Sequence, residues 1–282
     1  MKPGDKTEPS GGGGDKPAVP KRLDLERTVP ELNLAPAEPL TPYDEEFYIP
    51  HVADGQDVRV GTAFTVTGEI FYLHCDFVAF ASKLKDVTPQ KLDEMFVADG
   101  KLESQFPDLD EDARRLLYTC WRTARIVRNL LGDVTSDDAR YMSFDAYKQE
   151  SNTGIKECIK PLSECRGTAV CSEYALLAHA VLRKLGLASA VVVGAYESLA
   201  DGVLTGRHTY LVLQDGAVMF DPTHTAQQPD SWPPKVFIPS EPLTVQTLRN
   251  MSTGDDEPFG HKIQCTDIVT KQVAQYGSGA SY

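Results

Sequence analysis

Arg166-Gly167-Thr168-Ala169-Val170-Cys171-Ser172-Glu173-Tyr174-Ala175 is the stretch on which the fold turns. Tyr174, Leu177, Ala178, Val181, Leu182 and Leu185 recur at helical spacing, which predicts a helix with one buried stripe running to about Leu185. Arg183 and Lys184 complement the helix dipole in the last turn, and Gly186 stops the helix. Cys171 therefore lies in the first turn, where backbone N–H groups have no intrahelical partner.

Working downstream, Leu187 to Val193 is short and almost wholly apolar, the pattern of a buried strand. A polar loop is expected over 197–207. A hairpin follows, His208–Gln214 and Ala217–Asp221, joined by Asp215-Gly216, a strong two-residue turn signal. Counting outward from that turn sets Gln214 opposite Ala217, Tyr210 opposite Asp221 and His208 opposite Thr223. His208 and Asp221 are then diagonal neighbours on one face, with Cβ atoms about 7 Å apart. A slip of one residue would put them on opposite faces.

These three residue types together suggest nucleophilic catalysis. A free thiol, with a pKa of about 8.5, is only a few per cent thiolate at neutral pH. A helix N-terminus and a neighbouring histidinium both stabilise the anion. His208 would supply that charge and later protonate a leaving group. Asp221 would hold the imidazole in one tautomer and orientation. The Cys171 backbone N–H would form half of an oxyanion hole. Gln149 and Asn152 are candidates for the second donor by residue type. His179, two turns along the helix, and His224, beyond Pro222 and off the hairpin, read as structural.

Upstream, residues 1–50 hold nine of the nineteen prolines and the run Gly11-Gly12-Gly13-Gly14. Such a stretch buries too little apolar surface to offset chain entropy, so 1–43 is expected to be a disordered tail. Val58, Val60, Thr62, Phe64 and Val66 alternate as in a half-buried strand, and a bend at Thr67-Gly68-Glu69 leads to a second strand at Ile70-Phe71-Tyr72. Thr88 before Pro89 marks a helix start within a partly helical stretch. Leu109 to Leu131 is the clearest long helix, with Asp108 as its expected cap, Gly132 as its end and arginines on its solvated faces. Residues 132–165 carry no assignable pattern. Beyond Pro222 a proline-rich segment is expected to wrap the domain without long elements. The reading is one domain over 44–265, with its core at 150–225, and a C-terminal tail over 266–282.

A net charge of -13 argues against a general nucleic-acid or anionic-membrane binder. No apolar run is long enough to span a membrane, and Met1-Lys2-Pro3-Gly4-Asp5 does not open a signal peptide, so the expected location is cytoplasmic or reached by leaderless export. Six cysteines do not make a disulfide framework in a chain of 282 residues. Cys75, Cys120 and Cys265 read as packing residues. The wide spacings of Cys158, Cys165 and Cys171 are not those of zinc sites, and no metal is expected.

The segment from about Arg166 to Thr223 resembles the core of the transglutaminase-like superfamily. The matching features are Cys171-Ser172-Glu173-Tyr174-Ala175 opening a helix, Leu185-Gly186 closing it, His208 starting a strand and Asp221-Pro222-Thr223 ending the next. Ala169-Val170 stand where the family often has glycine, and Thr209 where it often has an aromatic residue. The resemblance implies an α+β fold with a papain-like core: the helix carrying the cysteine packs on an antiparallel sheet carrying the histidine and aspartate. It also implies Cys171, His208 and Asp221 as a catalytic triad acting on amide bonds of a protein or peptide through a thioester, as peptidase, amidase, deamidase or transglutaminase. No cofactor is required for that chemistry. Two alternatives stand beside it. One is a non-catalytic interaction module on the same fold. The other is an acyl-CoA-dependent N-acyltransferase, since arylamine N-acetyltransferases share such a triad and often have Arg-Gly before the cysteine, as in Arg166-Gly167.

Overall fold

A computed structural model of the chain describes residues 48–62, 70–100, 102–151, 157–198, 203–227, 233–245, 247 and 262–277. The expected tail over 1–43, the bend at 67–69 and Asn152 lie outside the described residues. In chain order the elements are β1 (Tyr48–Ile49), β2 (Asp57–Thr62), β3 (Ile70–His74), α1 (Ala81–Leu84), α2 (Pro89–Asp99), α3 (Leu102–Gln105), α4 (Glu111–Leu131) and α5 (Asp137–Ser151). They continue with β4 (Glu157–Pro161), α6 (Cys171–Lys184), β5 (Ser189–Ser198), β6 (Val203–Leu213), β7 (Val218–Phe220), α7 (Pro222–Gln227), β8 (Val236–Pro239), β9 (Lys262–Asp267) and β10 (Val273–Gly277). The fold is mixed α+β, with a helix packed on an antiparallel sheet.

That sheet closes on itself. Its order is β5-β10-β9-β8-β7-β6, and β6 pairs back to β5, so six strands form an antiparallel barrel. The tiny β1 adds to the free stretch of β5 at Val191 and Val192. Strand alternation splits the apolar residues into two cores. Ala190, Val192, Tyr210, Val212, Met219, Phe237, Ile263, Cys265 and Ala274 pack with one another in one core. The alternate residues Val191, Leu211, Leu213, Val218, Phe220 and Val236 pack with the helices in the other. A separate three-stranded sheet, β2-β3-β4, has β3 and β4 parallel.

α6 lies on the barrel between β5, β6, α4 and α7, and nearly every residue of it is buried. Tyr174, Leu177, Ala178, Val181 and Leu182 have almost no exposed surface. Each large side chain among them contributes about 1.5–3 kcal/mol by leaving water. This packing fixes where the first turn of α6, and hence Cys171, is held. The loop before it is pinned as well. Arg166 Nη1 donates to the Asn129 and Leu130 carbonyls at the end of α4, 2.7 Å each. Gly167 N–H donates to Leu131 O at 2.6 Å and needs its positive φ of 79°. The Arg166-Gly167 pair thus has a local structural function.

Several expectations are corrected. The C-terminal tail over 266–282 is not a tail through residue 277: β9 runs to Asp267, and β10 is the strand that closes the barrel between β5 and β9. Its pattern is faint because the buried Ala274 is small while Val273 is exposed. Residues 278–282 lie outside the described residues. The segment after Pro222 supplies α7 and β8 to the core fold rather than wrapping it. Much of the expected loop over 197–207 is strand, with Glu197 paired to Leu204 and Ser198 to Val203. α4 is capped by Asp110, whose carboxylate accepts from Ala113 N–H at 2.7 Å, not by Asp108. Thr88 does cap α2, accepting from Lys91 N–H at 3.2 Å. Among the described residues no helix is long and apolar enough to cross a membrane.

Candidate active site

Cys171 is the first residue of α6 and is half-buried. Its neighbour Val170 is extended and has no polar side chain to cap the helix. Glu173 does half of that work: its Oε2 accepts from Val170 N–H at 3.0 Å. The other oxygen, Oε1, accepts from Arg140 Nε at 2.7 Å. Arg140 comes from the first turn of α5 and is 7% exposed, Glu173 not at all. Arg140 Nη2 is buried without a hydrogen-bond partner among the described residues. A buried cation and the open end of a helix therefore both sit by the thiol.

His208 and Asp221 reach the same place from the barrel. The observed pairs Leu211↔Phe220, Val212↔Met219 and Leu213↔Val218 lie on the register counted from the sequence. The turn itself is wider than two residues: Gln214, Asp215 and Gly216 all have positive φ, and Ala217 N–H closes on Gln214 O at 3.0 Å. One extra residue on each side leaves the register unchanged. His208 Nε2 meets Asp221 Oδ2 at 2.6 Å, with side chains 7% and 1% exposed. With Nε2 engaged by Asp221, Nδ1 is the nitrogen through which His208 acts on Cys171.

Asp221 is not a strand residue. β7 ends at Phe220, and Asp221 is the N-cap of α7 with Pro222 in the first helical position. Its Oδ1 accepts from His224 N–H at 2.9 Å. That bond holds the carboxylate so that Oδ2 faces His208. The same turn brings back the His224 side chain, with Nδ1 3.0 Å from Oδ2 and its ring stacked on His208 at 4.9 Å. The sequence reading set His224 aside as off the hairpin, and the structure brings it into the site. Asp-Pro-Thr-His was a usable signal, since a capping Asp and a first-turn Pro start a helix that turns its third residue back over the cap.

The electrostatics follow from these contacts. Burial alone would raise the Cys171 pKa, but the His208 hydrogen bond and charge, then Arg140, outweigh it and set the thiol below its ordinary value. Burial would likewise depress His208, yet the Asp221 charge and hydrogen bond, then Cys171, push it up to about 10. Burial opposes ionisation of Asp221, while the charges of His208 and His224 hold it well below the usual carboxylate range. Thiolate and imidazolium are thus favoured together. The other cysteines are all buried. Burial pushes the Cys75, Cys120, Cys165 and Cys265 thiols far up, to about 12 for Cys165 and Cys265.

Of the two candidate oxyanion side chains, Gln149 is not at the site. It is exposed near the far end of α5 from Arg140, about 13 Å along the axis at the helical rise. Asn152 lies outside the described residues. His179 is structural. It is buried in mid-α6, with Nδ1 2.8 Å from Ser189 Oγ and Nε2 accepting from Val52 N–H at 3.3 Å. Arg140 was missed by sequence reading because its partner is remote in the chain and α5 carries no clear amphipathic stripe. Among the described residues, the one cluster with metal-ligand character is His208, Asp221 and His224.

Comparison with known proteins adds no relative: no family model, curated protein or solved structure matches the chain.

Proposed function

We propose that the protein is a cysteine-dependent enzyme that cleaves or transfers at amide carbonyls through a thioester on Cys171. The observation that carries this reading is the His208–Asp221 pair, held at 2.6 Å, acting on the Cys171 thiol at the first turn of α6 and lowering its pKa. A cysteine-bearing helix packed on an antiparallel sheet is also what the transglutaminase-like resemblance implies, and it supports a papain-like core.

The Cys171 thiolate attacks the carbonyl carbon and forms a C–S bond, placing negative charge on the oxygen. Unpaired N–H groups at the start of α6 stabilise that oxyanion. As the C–N bond breaks, His208 gives its Nδ1 proton to the leaving nitrogen. Water or an amine then attacks the thioester while His208 takes its proton, and the thiolate leaves with its pair restored. Asp221 fixes the ring and stabilises its charge throughout. Arg140 and Glu173 are positioning residues: they hold the first turn of α6 and place a buried positive charge beside the thiolate.

Native protein treated with iodoacetamide at a series of pH values, and read by peptide mass spectrometry, tests the proposal. Cys171 should label rapidly below about pH 7, and His208→Ala should lose that acid-side labelling. Labelling that rises only near the pKa of a free thiol, or that His208→Ala leaves unchanged, overturns the enzyme reading in favour of an interaction module. Stable acylation of Cys171 by acetyl-CoA would instead favour the N-acyltransferase reading. The tethering of Arg166 and Gly167 to the end of α4 removes the need for that reading to explain the Arg-Gly pair.

A further inference from the structure

The His208–Asp221–His224 cluster is more than a catalytic pair needs. Two imidazole nitrogens converge on one carboxylate oxygen, His208 Nε2 at 2.6 Å and His224 Nδ1 at 3.0 Å. One ligand atom from each residue lies within 4.8 Å of the others. The carboxylate is fixed independently, because Oδ1 caps α7 through His224 N–H. The rings stack nearly parallel, at 18°, so sharing one ion requires the partly exposed His224 ring to turn its in-plane lone pair toward it. His208 and Asp221 are almost wholly buried, but the His224 side chain is 20% exposed and gives the cluster an opening to solvent. Two histidines and one carboxylate around a fourth, open position are a donor set suited to a borderline-soft divalent cation.

We propose that His208, Asp221 and His224 bind a divalent transition metal of the Zn2+ class, and that the bound ion silences Cys171. The ion takes Nε2 of His208, Oδ2 of Asp221 and Nδ1 of His224, with water in the fourth place. Cys171 stays outside the coordination sphere because it bonds the other nitrogen of His208. Binding to the imidazolium form of His208 releases the Nε2 proton to solvent and leaves the ring proton on Nδ1. A ring with metal on one nitrogen and hydrogen on the other has no lone pair to accept a proton. It can no longer cycle as acid and base, and Asp221 Oδ2 no longer orients it. Metal at this site and catalysis are mutually exclusive.

The binding half of the proposal is independent of the enzymatic reading; the silencing half rests on it. Full-length protein stripped of metal is titrated with Co2+, and binding is read by visible ligand-field absorption and by competition with Zn2+. Saturable bands that Zn2+ displaces are expected in the wild type. His224→Gln and His208→Asn should weaken binding at least about tenfold, with circular dichroism and melting confirming that each variant is folded. Cys171→Ser should keep the bands. Absence of bands in the wild type overturns the site. Equal bands in folded His224→Gln do the same and assign the ion to surface carboxylates. Thiolate-to-cobalt charge transfer that Cys171→Ser abolishes overturns the three-donor set. In a second arm, Cys171-dependent hydrolysis of p-nitrophenyl acetate, whose turnover needs His208 to cycle as acid and base, should stop with stoichiometric Zn2+ in the wild type, resume with a chelator, and continue in His224→Gln. Metal binding with turnover unchanged overturns the silencing alone, and absence of any Cys171-dependent turnover in the metal-free wild type overturns the enzymatic reading on which the silencing rests.

Discussion

The two regions of α6 each hold a buried histidine at their surface, and the two histidines end in opposite states. At the N-terminal end, His208 faces a carboxylate and a thiol and is pushed up to about 10. In the middle of the helix, burial and then the nearby Arg183 charge push His179 down to about 3. Both side chains are almost fully enclosed. Burial therefore does not decide the charge; the partner does. Asp221 stabilises the imidazolium of His208. Ser189 Oγ and Val52 N–H ask only for a neutral ring, one nitrogen donating and the other accepting. The same helix has a charged histidine at its tip and holds a neutral one in its body.

The largest break in this contrast comes from Glu173→Gln. It leaves Arg140 charged and buried with a weakened partner, and should cost about 3–5 kcal/mol in chemical denaturation. A cost below about 1 kcal/mol would mean that the pair is solvated and contributes little. Next in size, Asp221→Asn keeps the shape but removes the charge that holds His208 protonated. The rate of Cys171 alkylation on the acid side should fall about tenfold or more. An unchanged rate would assign the thiolate to Arg140 and the helix end instead. The most gradual effect, spread over several pH units, concerns stability against pH. His179 has a folded pKa depressed from 6.5 to about 3, so the unfolded chain binds its proton first as pH falls. Its contribution is fully present above about 6.5 and is lost down to about 3, with a slope near 1.4 kcal/mol per pH unit. His179→Gln should flatten the acid limb over that window while leaving Cys171 labelling intact. An acid limb unchanged in the variant would assign it to the carboxylates.

What was legible in the sequence was local. α6 announced itself through its apolar stripe, and its end through Gly186, whose φ is 85°. The register of β6 on β7 was countable because a hairpin is a local object, and a symmetric error in turn length cancels. Long-range features were hidden. Nothing near Arg140 shows that it will be buried against Glu173, 33 residues on. Nothing in Val273–Gly277 shows that it will pair with β5, because the strand is short, its buried Ala274 is small and Val273 is exposed. Gly216 shows the same blindness. A Cβ there would lie 2.0 Å from Leu243 O, yet the sequence offers only a turn glycine.

The closing of the barrel by β10 sets an order of events during synthesis. Cys171, His208 and Asp221 have all been made by the time the chain reaches residue 221, but the neighbour that seals the far side of β5 arrives only with 273–277. A nascent chain of intermediate length holds every reactive group on a sheet with two bare edges, which invite pairing with other chains. The strand that completes the barrel beside β5 is thus made after every member of the site. A ribosome stalled between Phe220 and Val273 would carry a complete set of reactive side chains without the frame that aligns them.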